Sequence, residues 1–138
     1  MPIIRGDEEL KKLLKASRTV AVLGASKDPH RPSFFVSLVV RTYGFRMFFV
    51  NPNHVGEEIL GERVYSSLRD VPVDIDIVDV FRRPSAAREV AEEVRAKGCR
   101  TVWFQPGTED MTVARELADE GFNVVVGYCM KVECRKLL

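Results

Sequence analysis

The stretch VAVLGASKDPHRPSFFVSLVV, residues 20–40, decides how the chain is read. It opens with a β-branched apolar run, breaks on Gly24-Ala25-Ser26, crosses a polar loop and re-enters an apolar run at Phe34. That pattern predicts a strand over Thr19–Leu23, a tight turn, and a helix from Pro32-Ser33 to about Tyr43, stopped at Gly44. A helix N-terminus left facing such a turn is a ready phosphate site, because its first N–H groups have no partner within the helix. The helix is apolar nearly all round, so deep burial is expected.

The same alternation continues in both directions. Asp7–Ala16 reads as a short helix with acids first and lysines later. Strands are expected at Arg46–Val50, Ile75–Val80, Arg100–Phe104 and Asn123–Val126. Helices are expected at Pro84–Lys97, capped by Gly98, and at Glu109–Glu120, ended by Gly121, with Glu109 and Asp110 as first-turn acids. Residues 53–72 form a long connection with a helical turn near Ser66-Ser67-Leu68, and residues 127–138 a final turn or short helix. Asp74 and Asp76 are expected at the start of the third strand; Asp79, in its middle, is unusual for a buried position. Strands joined by helices imply an α/β, doubly wound, three-layer sandwich with a mainly parallel sheet of about five strands. The 138 residues suit one domain, 1–138.

Composition bounds the partners. A net charge of +1 gives no global pull on nucleic acid or anionic lipid, so any anion site is local. No uncharged apolar stretch is long enough to span a membrane. The N-terminal residues lack the apolar core of a secretion signal, and the three cysteines are an odd number, so a cytoplasmic chain with reduced thiols is expected. No spacing suggests a metal site.

In doubly wound sheets ligands meet the carboxyl ends of the strands. After the first strand, Gly24, Ala25, Ser26, Lys27, Arg31, Pro32 and Ser33 offer a turn, two hydroxyls and cations, a set suited to a diphosphate. The alternative is an ordinary polar loop with Ser33 as helix cap. An NAD site places an acid at the end of the second strand to grip the ribose diol. Here the chain reads Val50-Asn51-Pro52-Asn53-His54, and Glu57 comes several residues late. A ligand with a phosphate on its ribose fits better. After the third strand, Phe81 offers a flat ring face, and Arg82 and Arg83 precede a helix whose dipole they oppose, which argues for a role beyond the helix. Neither His30 nor His54 has an evident acid partner, and no nucleophile–base pair stands out, so no catalytic residue is assigned.

VAVLGASKDPHRPS, FFVNPNHVGEEILGERVYSSLRDVP, DIVDVFRRP and YCMKVE together resemble the small stand-alone CoA-binding protein family, related to the nucleotide-binding domain of the succinyl-CoA synthetase α subunit. The likeness covers about residues 15–135 and implies a Rossmann-like fold that binds CoA or an acyl-CoA. It places Gly24, Ser26, Arg31 and Ser33 at the diphosphate and Val50, Pro52 and His54 near the adenosine. Phe81, Arg82 and Arg83 fall near adenine or the 3′-phosphate, and Gln105 and Pro106 along the pantetheine arm. The family pattern commonly ends in KVE-His, where this chain has Cys134. With CoA so placed, Cys129 falls on the rim where the ligand thiol emerges, within reach of a mixed disulfide. The implied function is binding without catalysis. The alternatives are an NADP- or nucleotide-binding oxidoreductase-like module and a CoA-binding subunit of a larger acyl-CoA ligase, which leaves a homo-oligomer or a ligase partner chain open.

Overall fold

The computed structural model describes residues 3–138. Its first strand, β1 (Thr19–Leu23), lies at the centre of the sheet, flanked by β2 (Arg46–Val50) and β5 (Ile77–Val80). Beyond β2 come β4 (Glu62–Tyr65) and β3 (Glu58–Ile59); beyond β5 come β6 (Thr101–Phe104) and β7 (Asn123–Val126). Every pairing is parallel except the β3–β4 hairpin. The sheet thus has seven strands where about five were expected. The two extra ones are short and lie inside the 53–72 connection, where polar residues and Gly56 and Gly61 mask any alternation.

Helices α1 (Asp7–Lys15), α2 (Pro32–Val40) and α5 (Met130–Leu137) cover one sheet face, and α3 (Ala87–Lys97) and α4 (Met111–Asp119) the other. Strand alternation feeds both cores. Ala21, Leu23, Val78 and Val80 face the α3–α4 side; Val20, Val22, Ile77 and Trp103 face the α1–α2–α5 side.

Three expectations shift. β5 begins at Ile77, not Ile75; Asp76 just before it still donates its N–H to the Thr19 carbonyl (3.1 Å), and its Oδ2 accepts the N–H groups of Arg18 (2.7 Å) and Thr19 (3.1 Å). Helix α2 is not deeply buried; Phe35 and Leu38 are each 39% exposed, and the covered side is Ser33, Val36, Ser37 and Val40. It continues as a 3₁₀ turn, Arg41–Tyr43, to Gly44. Asp110 is the cap of α4, not a first-turn residue: its Oδ1 accepts from Thr112 N (2.9 Å) and Val113 N (3.3 Å).

Candidate functional site

Sheet order reverses beside β1, whose neighbours β2 and β5 leave by crossovers in opposite directions. At its carboxyl end Gly24 N and Ala25 N donate to the Val50 carbonyl (3.1 and 3.3 Å), and Phe81 N donates to the Leu23 carbonyl (2.9 Å). The three strand exits are thereby drawn together. Gly24 has φ +81°, and a Cβ there would lie 2.9 Å from the Phe81 carbonyl oxygen, so only glycine fits.

Two clefts open on either side of Gly24. One, of about 470 Å³, is lined by Leu23, Gly24, Val50, Asn51, Pro52, Asn53, Ser66, Ser67, Arg82, Glu89 and Glu93. The other, of about 530 Å³, is lined by Gly24, Ser26, Arg31, Pro32, Ser33, Asn51, Asn53, His54, Phe81, Arg83, Gln105, Pro106 and Thr108. No carboxylate lines the second cleft. Neither Arg31 nor Arg83 has an ion-pair partner among the described residues. A shallower recess of about 520 Å³ brings Arg31, Arg82 and Arg83 to one surface.

The loop after β1 is shaped by its own side chains. Ser26 Oγ accepts from Asp28 N (3.1 Å), Asp28 Oδ1 from His30 N (2.9 Å), and the Asp28 carbonyl from Arg31 N (3.0 Å). Arg31, not Ser33, is the N-cap of α2, with Pro32 in its first turn. The buried Ser33 uses its carbonyl to accept from Ser37 Oγ (2.6 Å). These turn bonds leave the N–H groups of Ser26, Lys27 and Ser33 unused among the described residues.

Two struts join this loop to the one after β2. Asn51 Nδ2 donates to the Ala25 carbonyl (2.9 Å). Glu57 takes Lys27 Nζ on Oε1 (2.9 Å) and His54 Nδ1 on Oε2 (2.7 Å). Hydrogen bonds from Lys27 and then His54 hold the Glu57 carboxyl below its ordinary value. Both histidines therefore have acid partners, contrary to expectation: His54 pairs with Glu57, and His30 with Asp28 (3.3 Å).

Most expected site residues converge, with three exceptions. Ala25 is buried core, and Lys27 is drawn onto Glu57 outside both clefts. Cys129 caps α5 behind Gln105, whose Nε2 lies 3.5 Å from its sulfur and whose Oε1 accepts from Met130 N (2.9 Å). His54 stands with the diphosphate-type residues in the second cleft. The arginines divide: Arg83 faces the second cleft, while Arg82 lies at the first and pairs with Glu89 (2.8 Å). Sequence reasoning missed Asn53, Ser66, Ser67, Glu89, Glu93 and Thr108. Glu89 and Glu93 look like outer-face helix acids, but Glu93 reaches across to accept from Leu68 N (3.1 Å). Among the described residues no group of three or more His, Cys, Asp or Glu is placed to hold a metal, and no helix is long and apolar enough to cross a membrane.

The chain is similar to an uncharacterized protein of Bacillus subtilis, YneT, at 36% identity over 124 residues, 90% of each chain. The solved structure of cell-free ID.343 from Thermus thermophilus matches with a TM-score of 0.92 at 40% identity, over 97% of this chain and all of that one. An ADP-forming acetate–CoA ligase of Methanocaldococcus jannaschii is 29% identical over 94 residues, which are 68% of this chain but only 13% of the ligase. The CoA binding domain model matches residues 18–135, so the chain belongs to the CoA binding domain family.

Proposed function

We propose that the chain binds coenzyme A across the two clefts that meet at Gly24, as a binding module without a catalytic step of its own. The observation that carries this reading is the second cleft: two arginines that form no salt bridge among the described residues, a lining without a carboxylate, and unused N–H groups at the start of α2. A diphosphate satisfies that set. Adenosine then lies in the first cleft against Val50 and Pro52, and the 3′-phosphate in the recess where Arg82 and Arg83 meet Arg31. The pantetheine arm leaves along Gln105-Pro106. The first acid after β2, Glu57, is spent on Lys27 and His54 and lines neither cleft, which disfavours an NAD-type grip on a ribose diol.

The two arginines separate the phosphates. Arg82→Ala weakens CoA by roughly 10- to 150-fold, the worth of a charge-assisted hydrogen bond, and leaves dephospho-CoA nearly unchanged. Arg83→Ala weakens both. Calorimetric titration of each variant with each ligand checks this, and equal affinity of the parent for CoA and dephospho-CoA contradicts it.

A further inference from the structure

Among the described residues, Glu57 ties together the loops after β1 and β2, two of the loops that line the second cleft. Its backbone is anchored: its carbonyl accepts from Val64 N (2.9 Å), and its N–H donates to the His54 carbonyl (3.1 Å). Its side chain holds Lys27 on one oxygen and His54 Nδ1 on the other. Lys27 is thereby kept out of the cleft, whereas His54 lines it. A carboxylate accepts only, so the hydrogen in the 2.7 Å contact sits on Nδ1, and Nε2 is the ring nitrogen left for a ligand. The second histidine is a built-in comparison. His30 is paired with Asp28 in the same manner but lines neither cleft, and its ring is 91% exposed.

An anionic oxygen at Nε2 requires a donor there, which neutral imidazole with its hydrogen on Nδ1 cannot supply. The charged groups around the ring are Glu57 on its own loop, Lys27 across the strut, and Arg31 and Arg83 across the shared cleft. A bound diphosphate offsets the charge of the two arginines, and Glu57 stabilises the second ring proton. We propose that Glu57 is a positioning residue that presents His54 to the ligand diphosphate through Nε2, so that CoA binding takes up a proton at His54. This rests on the CoA reading above. Glu57 is one-third exposed, and exposed ion pairs add little to stability, so its effect falls on binding.

With only two histidines in the 138 residues, proton–nitrogen NMR of the rings reads the tautomer directly. The free protein is expected to carry the His54 hydrogen on Nδ1, with both ring nitrogens protonated once CoA is bound. The heat of CoA binding then varies with the ionisation enthalpy of the buffer, reporting uptake of up to one proton. Glu57→Gln removes that dependence and weakens CoA about tenfold without lowering the melting temperature appreciably. His54→Gln does the same, and the double variant is no worse than either. An Nε2–H tautomer in the free protein, or a buffer-independent heat with CoA bound, overturns the assignment alone. No CoA heat at all overturns both this assignment and the CoA reading.

Discussion

Asp79 stands in β5 between Val22 and Trp103, fully buried, with neither carboxyl oxygen hydrogen-bonded among the described residues. Burial raises its pKa well above the ordinary carboxyl value. The folded chain therefore keeps a proton that the unfolded chain releases once the pH passes about 4. Stability is thus fully retained only at low pH and falls as pH rises from there toward the folded-state value. Asp79→Asn removes this slope: thermal unfolding should show the variant matching the parent near pH 4 and exceeding it at neutral pH. A variant less stable at neutral pH would show that the carboxylate has a partner. The thiols differ in the same terms. Burial pushes Cys99 to about 11 and Cys134 to about 12, whereas Cys129 is only half-buried. Brief alkylation of the native protein should label Cys129 first, as read by peptide mass; rapid labelling of Cys134 would contradict the packing of α5. Such features were only partly legible. Asp79 was visible as an oddity because its strand was, but the pairing of Glu57 with both Lys27 and His54 needs two loops brought together, which no local pattern encodes.

At the scale of elements, the unit of β1, turn and α2 was legible because each piece carries its own signal: β-branched residues, a glycine, a proline in the first helical turn, and a terminating Gly44. The helix start at Pro32 was legible, but its cap is Arg31 and not the Ser33 of the polar-loop alternative, because Asp28 shapes the loop just before it through bonds from His30 N and Arg31 N. The β3–β4 hairpin was missed because its strands are too short for alternation to show. Gly24 joins these elements to β5, and its role is testable. Gly24→Ala must accommodate a Cβ 2.9 Å from the Phe81 carbonyl oxygen at φ +81°. The expected cost is about 1–3 kcal/mol of stability, with a loss of CoA affinity as the seam between the clefts is forced open. Gly44→Ala, where a Cβ meets nothing within 4 Å, shares the positive φ but not the collision, and should leave CoA affinity unchanged. Equal effects on CoA from both substitutions would mean that the Gly24 contact does not shape the site.

For the molecule as a whole, the ordering of the sheet does what no single motif does. Placing β1 between β2 and β5 gathers three loops that are far apart in sequence and concentrates positive charge in one cleft of a chain whose net charge is only +1. That convergence was legible in outline, because alternation of strands and helices dictates where strand exits lie. The division of Arg82 from Arg83 was not, since adjacent residues leaving a strand point to opposite sides. The ligase relative embeds the matched region in a chain several times longer, whereas the Bacillus and Thermus relatives are of similar length. Calorimetric titration of the 138-residue protein with CoA and, separately, with NAD separates the readings: saturable CoA binding with no comparable heat from NAD is expected, and NAD binding as tightly as CoA, or no CoA binding, contradicts CoA as the ligand.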